Sequence, residues 1–140
     1  LKLNHKHLPE IIYHNKLVQT PIFSPSVGDF IQGMIVSIPL HFSWFNDKMD
    51  TKNIQYLMEE FYSGANFIKV LKKDEGVSDK GYFRPDNLVG TNYLDISIFG
   101  NDDNDQLIIF SRLDNLGKGA SGAAIQSMNI ALGYDETLGL

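Results

Sequence analysis

The 140 residues are 43% hydrophobic and 21% charged, which specifies one ordinary globular domain and excludes a wholly disordered chain. Twelve Lys and Arg stand against 17 Asp and Glu, a net charge of −5 with no basic cluster, which argues against a nucleic-acid surface and against polybasic membrane attachment. There is no cysteine, so disulfides, Cys-based zinc sites and thiol catalysis by these residues are excluded.

No apolar stretch reaches the ~18 residues of a membrane-spanning helix. The absence of cysteine is compatible with a reducing cytoplasm, where the protein is expected. No signal peptide is visible. The chain opens on Leu1 rather than Met, and further residues are expected before it.

Residues 1–17 are basic and His-rich, and Pro9-Glu10 reads as a helix opening. Residues 18–23 read as a strand closed by Ser24-Pro25-Ser26. After the Gly28-Asp29 turn comes the longest strand, 34–42. Its Ser37, Pro39 and His41 share one face, while Met34, Val36, Ile38, Leu40 and Phe42 share the other. Pro39 cannot donate to a ladder, which predicts an edge strand or a bulge.

Asp50 or Thr51 caps a helix running to about Ser63 with Gly64 as its stop, and Ile54, Leu57, Met58 and Phe61 form its buried stripe. A short strand over 67–71 and a polar loop over 72–80 follow. Residues 93–99 and 106–113 form a hairpin around the turn Gly100-Asn101-Asp102-Asp103-Asn104-Asp105. That acid run lacks the distal Glu and following helix of an EF-hand and reads as a solvated tip. The last helix, about 120–132, is almost free of charge, which predicts a core helix or one docked on something outside this chain. The order α, β, β, α, β, β, β, α predicts an α+β fold with a mostly antiparallel sheet flanked by helices.

Five constellations carry candidate chemistry. In Asn4-His5-Lys6-His7-Leu8-Pro9-Glu10 the two imidazoles point to the same side of an extended segment. They suit acid/base work, a metal site if a third ligand such as Glu10, His14 or Asp29 joins them, or simply a basic surface segment. No metal is expected. Gly117-Lys118-Gly119-Ala120-Ser121-Gly122 fits G-x-G-x-x-G between a strand and a helix. The second strand and distal acid of a dinucleotide fold do not follow it before Leu140. Two readings remain open for it: anion-binding backbone N–H groups beside Lys118, or small residues for close packing. Gly90-Thr91-Asn92 and the Ser24 to Asp29 turn supply hydroxyls without a nucleophile–base pair, and Asp114-Asn115 suits a ligand contact or a turn cap.

Taken together and in order, these segments resemble one family. His5-Lys6-His7-Leu8-Pro9-Glu10-Ile11, Phe23-Ser24-Pro25, Gly33-Met34-Ile35, Gly90-Thr91-Asn92 and the tail from Leu113 to Asn129, closing on Glu136-Thr137-Leu138-Gly139-Leu140, are similar to N-acetyl-γ-glutamyl-phosphate reductase. The resemblance spans the chain but only the later part of such an enzyme. It implies a glyceraldehyde-3-phosphate dehydrogenase-like C-terminal domain, with 1–113 as the catalytic and dimerisation domain. Residues 114–140 would be a helix and tail that pack on an N-terminal NADP-binding Rossmann domain.

The resemblance also implies the chemistry: NADPH-dependent reduction of N-acetyl-γ-glutamyl phosphate to the semialdehyde in arginine biosynthesis, through a cysteine thiolate supplied before Leu1, in a homo-oligomer. His5 or His7, with His5 favoured, would be the acid/base and Glu10 would orient the segment. Ser24 and Ser26 would line the substrate side, and Asn115, Gly117, Lys118 and Gly119 would approach the cofactor. Gln32 stands where many members carry Arg, which leaves Lys6 and Arg112 as candidates for that charge. The reading from a different class is a stand-alone, non-catalytic anion-binding or scaffold module.

Overall fold

Four strands, β1 (Met34–Leu40), β2 (Ile68–Val70), β3 (Leu94–Asn101) and β4 (Gln106–Leu113), form one sheet in the order β1-β4-β3-β2 in the computed structural model, which describes residues 3–78 and 80–140. Leu1, Lys2 and Asp79, assigned above to the terminal segment and the polar loop, lie outside those residues. The β1–β4 and β3–β4 pairs are antiparallel and β2 joins β3 in parallel, so the sheet is mostly antiparallel. Pro39 sits on β1 at the sheet edge, where a missing donor costs no ladder bond on the outer side.

Register sorts the side chains into two faces. On one, Ile96, Ile98, Leu107 and Ile109 are buried against Ile54 and Phe42, with Leu40, Met58, Ile68, Val70 and Leu94 packed around them. The other face carries Asp95, Ser97, Phe99, Ile108, Phe110 and Arg112. Helix α1 (Leu8–Asn15) lies in the N-terminal segment, α2 (Thr51–Phe61) covers the core face, and α3 (Gly122–Ala131) follows β4.

Helix α2 forms where the sequence places it. The Asp50 side chain accepts from the Asn53 N–H at 2.7 Å while the Asn53 side chain accepts from the Asp50 N–H at 3.2 Å, a reciprocal cap. The hairpin tip reinforces it. Asp102 accepts from the Thr51 N–H and hydroxyl at 2.9 and 2.6 Å, and Asp105 accepts from the Ser43 N–H and hydroxyl at 2.7 and 2.6 Å. These carboxylates therefore bond protein donors rather than standing freely in solvent. Both are held below the ordinary carboxylate range, Asp102 by the Thr51 hydroxyl and Asp105 by the Ser43 hydroxyl. Gly100 lets this happen, because a Cβ there would lie 2.0 Å from the Thr51 hydroxyl oxygen.

Three expectations are corrected. Residues 18–23 form no strand: both Val18 and Ile22 are exposed, and neither outer sheet edge is taken up by this segment. Apolar alternation makes a strand only where a partner edge receives its backbone groups. In α2, Ile54 is buried and Met58 packs on the core, but Leu57, at the flank of the stripe, and Phe61, at the last residue of the helix, are exposed. Helix α3 is not a core helix. Only Gly122 and Asn129 are buried in it, and Met128 and Ile130 are exposed.

The folded chain exposes 10371 Å². A typical folded monomer of this mass exposes about 7,300 Å². The excess is apolar in large part: Val18, Ile22, Val27, Phe30 and Ile31 before the sheet, and Met128, Ile130, Leu132, Tyr134 and Leu138 after it. Among the described residues, no helix is long and apolar enough to cross a membrane.

Candidate functional site

Asp114, immediately after β4, is only 2% exposed and ties two distant segments to its own turn. Its carboxylate accepts from the Gly90 N–H at 2.7 Å, the Gln32 side-chain amide at 2.9 Å and the Leu116 N–H at 2.9 Å. The Gly90 N–H, with those of Leu116 and Gly117 and the Gln32 amide, holds the carboxyl below its ordinary range, although burial pushes the other way. The next residue extends the knot, since the Asn115 side-chain oxygen accepts from the Gly33 N–H at 2.7 Å. Gly33 itself has φ of +114°, and a Cβ there would meet the Pro85 carbonyl oxygen at 2.4 Å. Gln32, standing where Arg was the commoner residue, thus has a structural partner in Asp114.

The glycine run after the knot is a π-helical turn, Gly117–Ser121, that leads into α3. Each motif glycine lies against protein. A Cβ at Gly117 would meet the Thr91 carbonyl oxygen at 2.8 Å, one at Gly119 the Leu113 side chain at 3.1 Å, and one at Gly122 the Asn92 side-chain oxygen at 2.2 Å. Of the two readings left open, close packing accounts for these glycines. Lys118 is placed differently. It lies half-buried, with Nζ 2.5 Å from the Gln126 side-chain oxygen and 5.5 Å from the centroid of the Phe67 ring. Burial pushes its ammonium below the ordinary lysine range, and the Glu136 carboxylate works in the opposite direction.

The histidine segment forms its own cluster. The rings of His5 and His7 meet edge to face at 4.7 Å between centroids, and Phe23 lies 4.6 Å from His5 and 6.5 Å from His7. Phe23 thereby sets the Ser24 backbone next to the imidazole pair, with Ser24 and Ser26 exposed. The His7 N–H donates to His5 Nδ1 at 3.3 Å. A neutral ring accepting there carries its proton on Nε2, so Nε2–H is the nitrogen His5 can offer a ligand. Glu10 lies exposed in the first turn of α1. Among the described residues it makes no hydrogen bond to either imidazole.

Arg112 is not a free cation. It is 2% exposed, pairs with Asp95 at 2.6 Å, donates to the Gly76 and Arg84 carbonyls at 3.2 Å, and lies 4.2 Å over the Phe83 ring. Its fork straps the 72–86 loop to the sheet. Among the described residues no three His, Cys, Asp or Glu side chains gather as a metal site. A cavity of about 580 Å³ between α2, β3 and the loop at 72–74 is lined by none of the candidate residues.

Asp114 caps its turn through the Leu116 N–H, one of the two roles the sequence suggests for it, but its bonds to Gln32 and Gly90 were not foreseen, nor were Gln126, Glu136 and Asn66, which the structure links to Lys118. The available signal was the pairing of Asp114 with a glycine turn directly after a strand, a place where carboxylates collect backbone N–H groups.

The comparisons now bear on this arrangement. Residues 1–115 match the family described as semialdehyde dehydrogenase, dimerisation domain. The whole chain is 42% identical over 142 residues to N-acetyl-gamma-glutamyl-phosphate reductase 2 of Nostoc sp. (strain PCC 7120 / SAG 25.82 / UTEX 2576), covering 44% of that protein. It is 42% identical to N-acetyl-gamma-glutamyl-phosphate reductase of Trichormus variabilis over the same span. Against the reductase of that name from Brucella ovis it is 41% identical over 133 residues, 95% of this chain and 43% of the relative. The chain therefore spans less than half the length of the curated relatives it matches.

Proposed function

Because the chain belongs to the semialdehyde dehydrogenase dimerisation-domain family, we propose that it serves as the catalytic and dimerisation part of an NADP-dependent N-acetyl-γ-glutamyl-phosphate reductase in arginine biosynthesis. The similarity of the whole chain to proteins of that name supports the reading. Residues 1–113 form the catalytic and dimerisation unit, and 114–140 pack on a nucleotide-binding domain of Rossmann type. The exposed apolar side chains of α3 and the tail provide a surface for that contact. The working form is a homo-oligomer in the cytoplasm.

Within this reading the histidine cluster lies on the substrate side. His5 presents Nε2–H, the donor needed to deliver a proton to a leaving phosphate or to stabilise negative charge on the reacting carbonyl oxygen. His7 holds the tautomer through its backbone N–H, Glu10 supports the segment as the first-turn acid of α1, and Ser24 and Ser26 line the substrate side through Phe23. The thiolate nucleophile comes from outside these residues, which include no cysteine.

NADP fits the tail turn on two observations. Among the described residues, Lys118 is a partly desolvated cation with one side-chain hydrogen bond, and the Asn92 side-chain oxygen beside the turn is buried without a partner. Asn115, Gly117, Lys118 and Gly119 are the residues that would approach it. Bound there, the cofactor supplies hydride. Lys118 contributes charge for its phosphates or amide, and the three packed glycines fix the turn on which Lys118 stands.

The test is the NADPH-dependent reduction of N-acetyl-γ-glutamyl phosphate by the complete polypeptide carrying these residues. His5→Asn is expected to lower kcat by ~10²–10⁴, the usual cost of losing an acid/base group. A wild-type rate in both His5→Asn and His7→Asn excludes the cluster from the chemistry. The isolated 140 residues are expected to show no turnover.

A further inference from the structure

We propose that Gln126 and Glu136 are positioning residues for Lys118, forming a side-chain relay through which the end of the chain sets where that ammonium sits. The proposal rests on the reading of Lys118 as a cofactor contact. The relay is continuous. Lys118 Nζ donates to Gln126 Oε1 at 2.5 Å, and Gln126 Nε2 donates to Glu136 Oε2 at 3.0 Å. The other Glu136 oxygen accepts from the Asn66 side chain, two residues before β2. Asn92, from the segment opposite the glycine turn, donates to the same Gln126 oxygen at 3.4 Å.

The polarity of the chain is fixed at every joint. A carboxylate can only accept, so Gln126 must turn its NH₂ toward Glu136 and its oxygen toward Lys118. Asn66 anchors Glu136 from the sheet side, and Asn129, buried in α3, donates to the Leu138 carbonyl at 2.8 Å and keeps the terminal turn against the helix. Glu136 is the charged group that acts on Lys118 among the described residues.

A lysine has four flexible side-chain bonds and loses much rotamer freedom when fixed, so a surface lysine beside a glycine turn would sample many positions. Here the Phe67 ring bounds it on one side and the oriented amide on another. One N–H is used by Gln126. The remaining donors are left for a ligand.

A double-mutant cycle in the complete reductase polypeptide tests the relay against a purely structural role. Lys118→Met is expected to raise KM for NADPH. Glu136→Gln, which keeps the shape and removes the charge, and Gln126→Leu are each expected to raise it roughly three- to tenfold, with kcat within about twofold. Neither is expected to add to Lys118→Met. Additive effects, or a wild-type KM in both relay variants beside a raised KM in Lys118→Met, overturn the relay and leave the cofactor reading standing. A wild-type KM in Lys118→Met overturns both. Should Gln126→Leu fail to fold, the near-isosteric Glu136→Gln carries the cycle alone.

Discussion

Residues 16–32 and the paired strands β3 and β4 both carry branched aliphatic and phenylalanine side chains, and treat them oppositely. In the strands, Ile96, Ile98, Leu107 and Ile109 are buried beneath α2. In the earlier segment, Val18, Ile22, Val27 and Ile31 lie open to solvent, Val18, Val27 and Ile31 completely. The strands succeed because each backbone has a partner on the next strand and the inward side chains join one core cluster with Phe42 and Ile54. The N-terminal segment has apolar content without a surface in this chain to receive it. Hydrophobicity alone does not set burial; a partner of the right shape does, and one half of the molecule holds it within the chain while the other presents it outward.

The contrast can be broken most forcefully on the sheet. Asp95→Ala leaves the Arg112 guanidinium buried without its counter-ion, and unfolding free energy in urea is expected to fall by about 4 kcal/mol. A loss within 1 kcal/mol would show that the Gly76 and Arg84 carbonyls satisfy Arg112 unaided. Ile98→Ala, which opens a cavity under α2, is expected to cost about 3 kcal/mol by the same measurement.

Asp114→Asn removes a charge that four donors favour, with an expected loss of about 2 kcal/mol near neutrality. Its carboxyl ionises more readily folded than unfolded. The stabilisation is therefore complete above the unfolded carboxylate range near pH 4 and disappears as pH falls through the lower folded value. The variant should flatten the acid side of the stability–pH profile, and an unchanged slope would contradict the knot. Smallest of all, Ile22→Ala is expected to change the stability of the chain by less than about 0.5 kcal/mol. A cost resembling that of Ile98→Ala would place Ile22 in a core of its own.

Local chemistry was readable where local chemistry decided the outcome. The α2 cap is Asp50, one of the two residues the sequence offers, the edge position of β1 is one of the two readings of Pro39, and the bounds of β4 follow from its apolar run up to Asp114. The failures are all long-range. Nothing near residues 18–23 says that no sheet edge awaits them. Nothing near Asp114 says that Gln32 and Gly90 will converge on it, because those partners are fixed by how β1 and β3 flank β4.

Arg112 is an instructive case between these. Once the turn sets Asn101 opposite Gln106, the antiparallel register places Asp95 opposite Arg112, so the ion pair was implicit in the hairpin. For the histidines the sequence supplied proximity along the chain. It did not supply Phe23, whose ring joins the two imidazoles to the Ser24 segment.

The register of β4 has a consequence for how the chain reaches this state. Its partner on one side, β3, is tethered by a tip of a few residues, whereas β1 returns from the far side of α2 and the 72–86 loop. Closing a long loop costs more entropy than closing a short one, so the β3–β4 hairpin with α2 clamped to its tip is the natural nucleus and β1 zips on afterwards. Substitutions at Ile109 should then slow refolding, and those at Leu40 should chiefly hasten unfolding. The knot around Asp114, which needs Gln32 from the segment just before β1, can close only at the last step. The turn proposed for the cofactor would then be completed only after β1 has docked.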